Sequence, residues 1–127
     1  MAEDVELRCL AGRRILIVED ETMIAMMIES VLEDHGSVVV GTASSLAEAL
    51  GVVEREKPDG VTLDCNLNGQ ISTPVARRLE ELGIPYILVT GYVQEALLDP
   101  VLSRAPRISK PFTGRGLARA AAEHLCA

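Results

Sequence analysis

Short runs of β-branched and aliphatic residues alternate along the chain with segments whose apolar residues recur every three or four positions. The short runs fit buried strands, and the periodic segments fit amphipathic helices. Strands and helices that alternate in this way are typical of an α/β fold, in which helices cover both faces of a parallel sheet. The predicted strands are 15–18, 38–40, 61–63, 86–89 and 107–109.

Helix signals stand between these strands. The first helix begins at about Thr22 and ends at His35-Gly36, since glycine commonly terminates a helix. Its predicted apolar face comprises Ile24, Met27, Ile28, Val31 and Leu32. Ser45 and Glu48 have the spacing of a capping box and start the second helix. The other two helices are one that runs from Thr73-Pro74 to Gly83 and a last one that contains Leu117, Ala121 and Leu125.

The segment between the fourth and fifth strands has a weaker pattern. It starts at Gly91 and contains Pro100 and Pro106, which confine any helix to about 93–98. We predict that this fourth helix is short or mobile and that its local stability is low. Its predicted apolar anchors are Val93, Leu97 and Leu98.

Length and composition restrict the range of functions. A chain of 127 residues with 48% hydrophobic residues predicts one domain with a packed core. Only 2% of the residues are aromatic and the net charge is −7, which argues against nucleic-acid binding by stacking or by phosphate contacts. The acidic start Met1-Ala2-Glu3-Asp4 does not fit a signal peptide, and no apolar run approaches the roughly 20 residues of a membrane span. We expect a soluble cytoplasmic protein without a membrane partner.

The three cysteines, Cys9, Cys65 and Cys126, are an odd number without paired spacing. They predict neither a disulfide framework nor a zinc site, and a reducing compartment fits this pattern. Cys65 invites a redox-sensor hypothesis, although an unpaired cysteine at a strand end more often acts as a small hydrophobic residue.

Charge is unevenly distributed. Residues 1–99 hold 18 acids and 7 bases, whereas residues 100–127 hold 5 bases and only Glu123 as an acid. The C-terminal fifth is therefore basic in an acidic protein. We hypothesise that it docks an acidic partner surface, with Arg104, Arg107 and Arg115 on the docking face.

Polar residues follow four of the predicted strands. Glu19-Asp20-Glu21 follows the first strand, Asp64 the third, Thr90 the fourth and Lys110 the fifth. Since ligands of open parallel sheets bind beyond the carboxyl ends of the strands, these groups are predicted to form one site. Clustered carboxylates suit Mg²⁺, and with charge neutralised by the cation and Lys110, Asp64 can attack phosphorus while Thr90 holds an equatorial oxygen. The predicted product is an aspartyl phosphate.

Two other classes share parts of this pattern. A flavodoxin-like cofactor binder has the same architecture but needs a phosphate-binding loop after the first strand, where this chain has acids. A phosphatase with an aspartate nucleophile forms the same intermediate but needs an acid two residues further on, where this chain has Asn66. Both remain as alternatives.

From Arg13 to about Leu125 the chain resembles the receiver domain of two-component response regulators. The resemblance rests on the acidic pair Glu19-Asp20, on Asp64 after its strand, on Thr90 and on Lys110-Pro111. It implies a flavodoxin-like fold with strand order 2-1-3-4-5 and five helices, preceded by a tail at 1–12 and formed by residues 13–127. It also implies a phosphoacceptor rather than an enzyme, with a cis Lys110–Pro111 peptide. The implied Mg²⁺ ligands are Glu19, Asp20, Asp64 and the backbone carbonyl of Asn66.

The stretch from Pro85 to Tyr92 is similar to the signature of the FAT GUY subgroup of receivers, with Leu88 and Val89 in place of Phe and Ala. This likeness implies a histidine kinase of the HWE or related HisKA2 class, or a phosphotransfer protein, as phosphoryl donor, and another protein as the carrier of the output. Receivers commonly have an aromatic switch residue where this chain has Arg107. We therefore predict that Gly91, Tyr92 and the segment up to Pro106 carry the switch instead.

Overall fold

A five-stranded parallel sheet forms the centre of the computed structural model, which describes residues 7–91 and 98–126. The strand order is β2-β1-β3-β6-β7, which confirms the expected order 2-1-3-4-5 once β6 and β7 are counted as the fourth and fifth main strands. The strands are β1 (Arg14–Val18), β2 (Val38–Ala43), β3 (Gly60–Leu63), β4 (Asn66–Leu67), β5 (Gln70–Ile71), β6 (Tyr86–Thr90) and β7 (Arg107–Ser109). The helices are α1 (Thr22–Asp34), α2 (Leu46–Glu56), α3 (Thr73–Leu82) and α4 (Gly114–Leu125).

Both faces of the sheet are covered, and this explains why the main strands are almost continuously apolar. Ile15 and Ile17 of β1 pack on one face with α1 and α4. Leu16 and Val18 pack on the other face with α2 and α3. Because successive side chains of a strand point to opposite faces, one short run of residues contributes to two hydrophobic cores.

The helix ends follow the predicted signals. Ser45 accepts a hydrogen bond from the Glu48 amide at 3.2 Å, while the Glu48 carboxylate accepts one from the Ser44 amide. Gly83 ends α3 with a φ of 71°, a left-handed conformation that glycine adopts without steric cost. The prediction that Met27 lies on the buried face of the first helix is wrong, because its side chain is 42% exposed while Ile28 beside it is buried.

A two-stranded antiparallel hairpin, β4–β5, follows the third main strand and was not predicted. Its strands have two residues each, too few for an alternating pattern to show in the sequence. The hairpin turns at Asn68 and Gly69, both with positive φ. The hairpin lies beside the end of β3 and therefore next to the candidate site.

The segment after β6 is anchored differently from the prediction. Leu98 is 87% exposed, whereas Val101, Leu102 and Ala105 are buried around a short 3₁₀ helix, Leu102–Arg104. Asp99 caps this turn by accepting hydrogen bonds from the amides of Val101 and Leu102. The predicted helix at 93–98 and the predicted switch residue Tyr92 fall mainly within 92–97, outside the described residues.

The prediction of no disulfide is wrong. Cys9, in a 3₁₀ helix at Arg8–Leu10, is bonded to Cys126 at the end of α4, across a sequence separation of 117. Leu10 beside it is fully buried against the sheet. Sequence spacing could not reveal this pair because the fold, not the local sequence, brings the two ends of the domain together. The disulfide also removes the argument for a reducing compartment that rested on the cysteine pattern.

Among the helices of the described ranges, none combines the length and the apolar content that a bilayer crossing requires.

Candidate functional site

The candidate site lies at the carboxyl ends of β1, β3, β6 and β7, where the strand order of the sheet reverses. Lys110 is at its centre. Its Nζ lies 2.9 Å from Oε1 of Glu19 and 3.1 Å from Oδ2 of Asp64. The side chains of Glu19 and Asp64 are only 1% and 5% exposed, so this is a buried cluster of one ammonium and two carboxylates.

Burial dominates the electrostatics of this cluster. It raises the pKa of Glu19 from 4.5 to about 7, although the nearby Lys110 ammonium opposes the rise and the Asp64 charge adds to it. Burial by itself lowers the pKa of Lys110, but contacts with both carboxylates outweigh that effect and leave the pKa above its ordinary value. The ammonium is therefore present throughout the neutral pH range.

Asp20 lies at the open side of the cluster, against the hairpin. Its Oδ2 accepts a hydrogen bond of 2.9 Å from the backbone N–H of Asn68. The Asn68 side chain in turn donates to the Ser44 carbonyl at 3.3 Å, so the hairpin spans from β3 to the loop after β2. A cleft of about 270 Å³ beside Asp20 is lined by Glu19, Met26 and residues near the end of β2.

Thr90, the last residue of β6, contacts Cys65, which follows Asp64 after β3. The Thr90 Oγ1 lies 2.8 Å from the Cys65 Sγ, and both residues are fully buried. The Asn66 amide donates to Oδ1 of Asp64 at 3.2 Å, which fixes the second carboxylate oxygen of Asp64. Three of the predicted site residues are therefore in contact: Glu19, Asp64 and Lys110. The other three lie at the ends of the same or adjoining strands: Asp20, Asn66 and Thr90.

The donor set suits a hard divalent cation. Glu19 and Asp20 offer carboxylate oxygens within 4.8 Å of each other, together with Glu21, whose side chain is 64% exposed on the solvent side. Asp64 adds a second buried carboxylate, 3.1 Å from the Lys110 ammonium. Oxygen ligands with an excess of negative charge fit Mg²⁺, which keeps several waters and uses few protein carboxylates. The residues present therefore fit the metal that the sequence analysis predicts.

The predicted docking residues are less available than their charges suggest. Arg104 forms an ion pair with Glu80 at 2.8 Å. Arg107 donates from Nη2 to the carbonyls of Leu102 and Ser103, so it closes the 3₁₀ turn. Gly91 and Pro111 are exposed beside the site, and the Lys110–Pro111 peptide is cis as predicted. The acidic-partner hypothesis stays a prediction; Arg104 and Arg115, the latter at the start of α4, are both exposed.

Two contacts of the site escaped the sequence analysis. The Asn68 amide on Asp20 depends on a positive φ at Asn68, for which Asn-Gly is the available signal. The Cys65–Thr90 contact depends on strand register. Leu63 pairs with Leu88 in the ladder between β3 and β6, and Cys65, two residues beyond the end of β3, contacts Thr90, the last residue of β6.

The chain is similar in sequence and in fold to known proteins. The response regulator receiver domain model matches residues 15–122. The solution structure of SdrG from Sphingomonas melonis Fr1 is similar with a TM-score of 0.76 and 43% identity, covering 87% of this chain and 94% of that one. The response regulator PhyR from Brucella abortus is similar with a TM-score of 0.82 and 31% identity, covering 96% of this chain and 51% of that one.

A curated relative, the phyllosphere-induced regulator PhyR of Methylorubrum extorquens, is 34% identical over 110 residues, which are 84% of this chain and 41% of the relative. The chain spans less than half the length of the first curated relatives that it matches.

Proposed function

The chain belongs to the response regulator receiver family, and from that premise we propose that it accepts a phosphoryl group on Asp64 and signals to another protein through a change in conformation. The observation that carries the proposal is the contact of Lys110 with Asp64 at 3.1 Å and with Glu19 at 2.9 Å in a buried cluster. The proposed role is that of a phosphoacceptor in signalling, not of an enzyme that turns over an external substrate.

The chemistry follows from the positions of these groups. An Asp64 oxygen attacks phosphorus, the new O–P bond forms as the bond from phosphorus to the donor breaks, and the donor leaves with that electron pair. Lys110 stabilises the negative charge on the phosphoryl oxygens, and Thr90 is the proposed hydrogen-bond donor to one of them. Mg²⁺, held by Glu19, Asp20, Asp64 and the Asn66 carbonyl, would supply further charge neutralisation.

A histidine kinase or a phosphotransfer protein is the proposed phosphoryl donor, and the HWE or HisKA2 class follows from the FAT GUY resemblance. The donor must bring its phosphohistidine to Asp64, so it has to contact the surface that surrounds the site. An apolar surface on α1 exposes Met23 at 83% and Met26 at 62%, and Met26 lines the cleft beside Asp20. Exposed methionines adapt to varied partner surfaces, which suits a transient docking face.

This face gives a prediction. Replacing Met23 by Glu should slow phosphoryl transfer from the donor kinase about tenfold, because charge would enter an apolar contact. Phosphorylation by acetyl phosphate should remain unchanged, since that small donor needs no docking surface. Time courses with both donors would measure the difference, with Val38→Glu as a control at an exposed apolar position on edge strand β2. Equal slowing with both donors would contradict a docking role.

The proposed function is tested by intact-mass measurement after incubation with acetyl phosphate and Mg²⁺. We expect one adduct with the mass of a phosphoryl group that is lost at alkaline pH and does not form with a chelator. Asp64→Asn should remove it entirely, because the amide lacks the nucleophilic oxygen. Asp34→Asn, at the exposed end of α1, is the matched control and should label like the parent. Undiminished labelling of Asp64→Asn would refute the assignment.

A further inference from the structure

The side chain directly after the proposed phosphoacceptor contacts the proposed switch hydroxyl. Cys65 Sγ lies 2.8 Å from Thr90 Oγ1, a contact across adjacent strands that pairs two fully buried groups. We propose that Cys65 is a positioning residue, which holds the Thr90 hydroxyl in its resting orientation and so sets how readily Asp64 reaches the phosphorylated state. This inference rests on the proposed function.

Cys65 is held firmly in place. Its side chain is part of the hydrophobic core between the sheet and helices α2 and α3, together with Leu63, Leu67 and Val75. Its carbonyl accepts a 2.8 Å hydrogen bond from the Ser72 amide at the start of α3. A thiol with 0% exposure and a fixed backbone cannot turn away without losing this packing. The thiol is therefore the stationary member of the pair.

The backbone of Thr90 is held in the sheet. Its backbone pairs with Ser109 of β7, and its carbonyl accepts a 2.9 Å hydrogen bond from the Lys110 amide. Rotation about the Cα–Cβ bond is then the movement that carries the hydroxyl from one position to another, and a threonine has only a few staggered positions to choose from. In the described structure the hydroxyl takes the position beside Cys65.

The Thr90 hydroxyl has two alternative positions, one beside Cys65 and one beside a phosphoryl group on Asp64. Cys65 extends into the α2–α3 core, whereas the Asp64 carboxylate meets Lys110. A Thr90 hydroxyl that contacts a phosphoryl group on Asp64 must leave the thiol. The hydrogen bond to Cys65 is thus lost on activation, and it stabilises the resting state relative to the active one. A net hydrogen bond of ordinary strength corresponds to a factor of about two to ten in that equilibrium.

Beryllofluoride binding in the presence of Mg²⁺ tests the inference, because the complex mimics the phosphoryl group without covalent chemistry. Cys65→Ala should bind beryllofluoride about two- to tenfold more tightly than the parent, since the resting contact is gone. Cys65→Ser, which retains a hydrogen-bonding group of similar size, should bind like the parent. In a Thr90→Val background, Cys65→Ala should have no effect, because the hydroxyl that it releases is absent.

A second readout separates positioning from general loosening of the core. Scalar couplings across the Cα–Cβ bond of Thr90, measured by NMR without beryllofluoride, should be the same in the parent and in Cys65→Ser and should report changed rotamer populations in Cys65→Ala. Equal or weaker beryllofluoride binding by Cys65→Ala would overturn the inference while leaving the proposed function intact. If the parent protein itself fails to bind beryllofluoride, both fail together.

Discussion

Reduction of the Cys9–Cys126 disulfide is expected to lower the free energy of unfolding by about 4 kcal/mol. The bond closes nearly the whole chain, with a sequence separation of 117, and a crosslink over so long a loop removes many conformations from the unfolded state. The folded state changes little, because Leu10 and Leu125 on either side of the bond are independently buried. Urea unfolding with and without a thiol reductant would measure the loss.

The control for this experiment is the double variant Cys9→Ser/Cys126→Ser. It should match the reduced parent protein and should itself be insensitive to reductant. Cys65→Ser should remain fully sensitive, since Cys65 lies in the core on the other face of the sheet. Identical unfolding curves for the parent with and without reductant would show that the crosslink does not form in solution.

Glu19→Gln is expected to raise the free energy of unfolding of the metal-free protein by about 2–3 kcal/mol at pH 8. Burial raises the pKa of Glu19 to about 7 in the folded state, whereas the unfolded chain has a value near 4.5. Between these values the folded protein keeps a proton that the unfolded chain has released. The stabilisation from this proton is complete below pH 4.5 and is lost as the pH rises through 7, so the parent weakens over this range.

Glutamine mimics the neutral carboxyl and has no proton to lose. The gain in stability from Glu19→Gln should therefore be small at pH 4.5 and largest above pH 7, which urea unfolding in a chelating buffer at several pH values would show. Glu21→Gln is the matched control, because that carboxylate is exposed and only 3.8 Å from the same ammonium. A gain that did not depend on pH would contradict burial as its cause.

Local sequence signals predicted most of the framework. The apolar runs located all five main strands, and the capping box at Ser45 and the glycine at Gly83 placed helix ends. These features depend only on residues that are close together in the sequence, so the sequence alone predicts them. The predictions of which helix residues face the core were less reliable. Met27 has the periodicity of a core residue but lies on the exposed side of α1, because apolar character does not by itself decide which residues a neighbouring element covers.

The candidate site was predictable for the residues that follow strands. Parallel pairing brings every strand end to one edge, so Glu19, Asp64 and Lys110 had to lie near one another. The contacts of Arg107 were not predictable, since they depend on the fold of the preceding turn, where its guanidinium meets three carbonyls. The disulfide could not be predicted from the sequence for the same reason, because it joins two ends of the domain that only the complete fold brings together.

The wide spacing of the site residues has a consequence for the order of events during synthesis. Asp64 and Lys110 are 46 residues apart, and Lys110 follows β7, the last strand of the sheet in chain order. A nascent chain that lacks this strand has the nucleophile but no ammonium to balance it. Long-range contacts of this kind form only when the intervening chain has closed into a loop, which delays them relative to local structure. We therefore expect the ability to accept a phosphoryl group to arise only at the end of folding. Incomplete chains should not be phosphorylated.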